Sequence, residues 1–134
     1  MHPVIRAFLF LWPAAAWCAG AGAAPVLRCE VSYADVPRVL RFSLDVHAYD
    51  AAAVDIDGRF RFKAVLRGAA GTVETVKIYV YATTAAQPRM LQESRYRAPF
   101  APQDRPESLT GEQTVYAQPI GRPLHYACAL AESP

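Results

Sequence analysis

A chain of 134 residues, 53% hydrophobic and 19% charged, is too apolar for disorder and too short for two ordinary domains. Its 14 Lys+Arg against 12 Asp+Glu leave a formal charge of only +2, which argues against nucleic acid as a partner. Nearly all of the positive charge is arginine, Lys63 and Lys77 being the only lysines, and a guanidinium fork suits carboxylate, phosphate and aromatic faces.

Residues 1–23 read as a secretory signal peptide. They hold one cation, Arg6, an apolar run from Ala7 to Trp17, and a small-residue tail ending in Ala21-Gly22-Ala23, the layout that leader peptidases cut. Cleavage there starts the mature chain at Ala24 and leaves 24–134 as a single domain. It also removes Cys18, whose neighbours Ala15, Ala16 and Trp17 fit a lipoprotein signal poorly. Small residues follow the run in place of a longer apolar stretch, so no transmembrane span is expected after cleavage. The expected location is the periplasm or the medium of a Gram-negative-type bacterium.

The mature chain alternates in strand after strand. In 26–33 Leu27, Cys29, Val31 and Tyr33 share one side; in 38–47 Leu40, Phe42, Leu44 and Val46 oppose Arg41, Ser43, Asp45 and His47. A period of two sustained this long predicts half-buried strands with the apolar side inward. The segment 48–55, rich in alanine, predicts a helical turn or a loop, and Asp57-Gly58 a tight turn. The motif Asp55-Ile56-Asp57-Gly58 lacks the acids of a calcium loop, since Ala53 and Ala64 occupy its first and last ligand positions.

Strands follow at 60–67, with Phe60, Phe62, Ala64 and Leu66 inward, and at 72–82, with Val76, Ile78 and Val80 inward. Joined by a three-residue loop, Ala69-Ala70-Gly71, with Gly71 left-handed, they make a hairpin that keeps inward residues opposite inward ones. This register sets Arg59 across from Tyr81, Arg61 across from Tyr79 and Lys63 across from Lys77. Weaker strands are expected at 89–97 and 111–118, separated by the proline-bearing surface loop 98–111, and a last strand at 123–131 aligns Leu124, Tyr126, Cys128 and Leu130.

Cys29 and Cys128 both fall on the apolar side of their strands, so they are expected to form a disulfide between the first and last strands, joined across the interior of the fold. The fold class that results is all-β: a small antiparallel sandwich or barrel of about seven strands.

The functional expectation rests on the outward side of the hairpin. Arg59, Arg61, Lys63, Lys77, Tyr79 and Tyr81, extended by Arg95 and Arg97, compose a binding platform for a protein or an anionic envelope component, with the 98–111 loop as a second contact. No Gly-x-Ser-x-Gly, His-Glu-x-x-His or phosphate-loop motif is present, so a binding module is expected and not an enzyme, with no cofactor. Two other classes are kept open. One is an envelope metal-binding protein or small hydrolase using His47 and His125, with Asp45 as a further ligand. The other is an assembly factor working through a sheet edge, or a counterpart of the small bacterial lysozyme inhibitors, which share the plan of an exported one-disulfide β-domain. That likeness is one of architecture and transfers no residue.

Overall fold

The structure, a computed structural model, describes residues 24–44, 52–83, 86–117 and 121–133. The signal-peptide segment and the positions of Asp45, Val46 and His47 lie outside them. Eight strands are described: β1 (Ala24–Tyr33), β2 (Val36–Ser43), β3 (Val54–Ile56), β4 (Phe60–Ala69), β5 (Thr72–Ala82), β6 (Arg89–Arg97), β7 (Gln113–Val115) and β8 (Leu124–Ser133). They form two antiparallel four-stranded sheets, ordered β2-β1-β8-β7 and β3-β4-β5-β6. Among the described residues there is no helix, and so none long and apolar enough to cross a membrane.

The alternating pattern becomes the core directly. Leu27, Cys29, Val31, Leu124 and Cys128 of the first sheet and Phe60, Phe62, Leu66, Ile78 and Val80 of the second are all within 1% of full burial, and they belong to one cluster. Rings meet across the two layers: Phe62 packs edge-on to Tyr126 at 5.1 Å, and Tyr33 does the same to Phe60 at 5.5 Å. The layers therefore pack as a sandwich, inner face to inner face. Leu44, just past β2, bridges to Leu66 of β4, so the chain from the first sheet reaches the second.

Cys29 and Cys128 do form the disulfide, across 99 residues of sequence. The tie does not cross the interior, however. β1 and β8 are neighbours in one sheet, and the two cysteines are direct cross-strand partners with Cα atoms 4.1 Å apart. The bridge staples the first strand to the last inside a single layer, and the sandwich is held by side-chain packing. A buried disulfide of this kind belongs to a protein matured under oxidising conditions.

Residues 54–56 form the short strand β3 where the sequence predicts a helical turn or a loop, because three residues carry too little period for the sequence to reveal; residues 48–51 lie outside the described residues. The segment 98–111 is tied along one edge to β8. Its Thr110 Oγ1 accepts the Cys128 N–H at 2.9 Å, its Gln103 Oε1 accepts the Leu130 N–H at 3.0 Å, and its Leu109 N–H donates to the Cys128 carbonyl at 3.0 Å. Turns occupy its residues 106–110, and it satisfies the backbone of β8 along the edge beyond the three residues that β7 pairs.

Between the sheets the β6–β7 side is polar. Gln92, Ser94 and Tyr96 point inward, and the Tyr126 hydroxyl donates to Gln92 Oε1 at 2.6 Å. Gln92 in turn donates to Gln113 Oε1, and Gln113 to the Thr110 carbonyl. Burial, with Tyr96 nearby, pushes the Tyr126 phenol up to about 12, against the smaller opposing effect of a hydrogen bond with Ser94.

Candidate functional site

The outward side of the β4–β5–β6 sheet is where the sequence places its platform, and the register decides what that platform is. The β4–β5 connection is a two-residue turn, Ala70-Gly71, with both residues at positive φ (53° and 75°), the backbone of a type I′ hairpin turn. A two-residue turn alone would set inward residues opposite outward ones. The mismatch is absorbed by a bulge: Gly68 pairs with Val73 but Arg67 pairs with Thr75, leaving Glu74 as the extra residue. Gly68 is what allows it, since a Cβ there would overlap the Thr72 carbonyl oxygen. Val73 turns into the core, and the Glu74 carbonyl accepts the Ala98 N–H at 2.9 Å.

The expected register is thereby moved by two residues. Arg61, not Arg59, lies across from Tyr81; Lys63 lies across from Tyr79 and not from Lys77; Lys77 faces Val65. Arg59 drops to the turn before β4, where its carbonyl accepts the Thr83 N–H. The expected opposition of two lysines is thus absent. On the other flank Tyr79 meets Glu93, Lys77 meets Arg95, and Thr75 meets Arg97.

The face divides into two ends. Toward β3 it carries phenols in mixed company: Tyr79 and Tyr81 stack along one strand with ring centres 6.4 Å apart, beside Arg61, Lys63 and Glu93. Toward the hairpin turn it is cationic. Arg67, Lys77, Arg95 and Arg97 line one open hollow of about 540 Å³ with Thr75 and a single carboxylate, Glu74. Beneath this end Val65, at outward parity, is fully buried; its neighbours on the face are Lys63, Arg67 and Lys77, whose stems are long enough to lie over it. Lys63, Arg67, Lys77 and Tyr79 are each held in an interaction.

Arg67 and Thr75 are the residues that sequence reasoning missed. Arg67 shares the outward parity of Arg61 and Lys63, but only the bulge and the β5–β6 pairing bring it to Arg97. Of the two histidines, His47 lies outside the described residues. His125 is exposed on the other sheet, with Nδ1 3.1 Å from Thr114 Oγ1. Among the described residues no three His, Cys, Asp or Glu side chains are grouped as a metal site would need. The chain matches no protein-family model, no curated protein and no solved structure.

Proposed function

We propose that this is an exported binding module, resident in the periplasm or secreted, that holds an anionic partner on the outer face of the β4–β5–β6 sheet. The observation that carries the reading is the grouping of Arg67, Lys77, Arg95 and Arg97 around one hollow with a single acid. Like charges gathered on adjacent strands repel, at a cost that an incoming anion removes. The neighbouring phenols add contact area at low entropic cost. The exported setting is supported by the buried disulfide and by the leader-like pattern of residues 1–23.

The test removes two arginines from each outer face in turn. Arg95→Ser with Arg97→Ser is compared with Arg28→Ser with Arg41→Ser, a direct cross-strand pair on the other sheet. Net charge changes equally in both. The first pair is expected to elute from a polyanionic heparin matrix at clearly lower salt and to lose its crosslinks in the native envelope, while the second keeps both. Equal losses would leave only a general effect of charge and end the proposal.

A further inference from the structure

Resting on the anion-binding reading, we infer that the hollow at the turn end is a subsite for a phosphate ester, centred above Thr75. Thr75 is the direct cross-strand partner of Arg67 on one side and of Arg97 on the other. Two strand spacings put the two arginines about 10 Å apart at the backbone, a gap that two extended guanidinium side chains can close from opposite sides. The residue between them is short and carries a hydroxyl, so it forms a floor and offers a donor. Lys77 and Arg95, one step along the same two strands, form the adjoining wall.

The shape of this arrangement selects among anions. A carboxylate presents two oxygens in one plane, which a single guanidinium fork saturates. A phosphate ester offers three acceptor oxygens arranged as a pyramid, so Arg67, Arg97 and the Thr75 hydroxyl can each take one. Charge points the same way. Four cations against Glu74 leave the hollow at +3, better matched by a phosphate monoester of about −1.5 to −2 than by a carboxylate of −1. No residue that lines the hollow is an exposed large apolar one; Val36, Val39, Met90 and Tyr116 hold that place elsewhere. A phosphate carried on a sugar, or free, therefore fits it better than a lipid that must be entered.

The experiment is an NMR titration of the folded, oxidised protein, following the arginine side-chain Nε–H signals and the Thr75 amide. The probes are inorganic phosphate, glucose 6-phosphate, glucuronate as the carboxylate counterpart, and phosphatidylglycerol vesicles. Both soluble phosphates are expected to move Arg67, Thr75 and Arg97 together and to bind about tenfold or more tightly than glucuronate. Arg67→Gln and Arg97→Gln should each weaken phosphate by about tenfold, and Thr75→Val by about threefold to tenfold. Vesicle binding that soluble phosphate competes away assigns the phosphate to a lipid headgroup; soluble binding alone assigns it to a sugar or the free ion. Glucuronate binding as tightly as phosphate, or phosphate binding unchanged in Thr75→Val, overturns the subsite and leaves the anion-binding face standing. Vesicle binding indifferent to soluble phosphate also overturns it. If no probe moves these signals, both fall.

Discussion

The two sheets have the same number of strands and the same antiparallel pairing, yet they use their residues differently. In the β2-β1-β8-β7 sheet the outer face of β8 is a run of alanines, Ala127, Ala129 and Ala131, preceded by His125, and opposite charges are neutralised locally, as in Arg28–Glu30 at 2.8 Å. Its backbone is secured by a disulfide and by side chains of the 98–111 segment. The β3-β4-β5-β6 sheet has no covalent tie. Its register depends on a tight turn, a glycine and two bulges, one at Glu74 and one where Leu91 lies between the pairings of Val80 and Tyr81. That sheet carries the cationic hollow. The difference teaches that the covalent staple and the cationic hollow lie in different layers, so each can be altered with the other as control.

The strongest way to break the comparison is to remove the staple. Cys29→Ala with Cys128→Ala should cost up to about 4 to 5 kcal/mol, the loop-closure contribution for a link of about 100 residues. Denaturant midpoints of oxidised wild type and the double variant measure it. A loss below about 1 kcal/mol would mean that the first sheet is held by packing and its capping segment instead.

The next largest effect belongs to the other layer. Gly68→Ala puts a methyl against the Thr72 carbonyl and should destabilise by about 2 to 3 kcal/mol, a typical range for imposed strain. Because the bulge sets the neighbours of Arg67, the same variant should lose heparin retention even under conditions where it stays folded. Retention unchanged in folded Gly68→Ala would show that the cationic face does not depend on this register.

A smaller effect probes the polar join between the layers. The Tyr126 phenol is raised to about 12, so the folded protein keeps its proton between pH 10 and 12 while the unfolded chain releases it. The stabilisation is thus fully present below about pH 10 and is lost as pH rises toward 12, amounting to at most about 2 to 3 kcal/mol. Tyr126→Phe should flatten that part of the stability profile, and it leaves Gln92 without its donor at neutral pH, at a cost of about 1 to 2 kcal/mol. Unfolding midpoints across pH 9 to 12, read alongside phenolate absorbance, check both. The smallest effect on stability is expected from Arg95→Ser with Arg97→Ser, whose melting temperature should stay within about 2 °C of wild type while anion binding is lost.

Much of the fold is legible in the residues. Leu27, Cys29 and Val31, or Phe60 and Phe62, declare their side by alternation, and β5 and β6 are found at the expected limits, 72–82 and 89–97. The shortest elements were less legible: β3 escaped, and β7 fills only 113–115 of the strand expected at 111–118, each three-residue element owing its existence to the partner strand beside it. The site was legible as a list but not as an arrangement. Arg61, Lys63, Lys77, Tyr79, Tyr81, Arg95 and Arg97 are all on the expected face, whereas Arg59 is displaced to a turn and Arg67 is gained.

What the sequence determined by itself is the set of long strands, the inward or outward side of nearly every residue in them, and the placing of both cysteines on buried sides. These follow from a local period of two, which does not depend on which strand lies alongside. What the tertiary structure decided is the register, the assignment of the disulfide to one layer, and the meeting of Arg67 with Arg97 around Thr75. The physical reason is that a slip of two residues leaves every buried side chain buried. Hydrophobicity cannot choose between such registers, and the choice falls to two left-handed residues in a turn and the missing Cβ of Gly68.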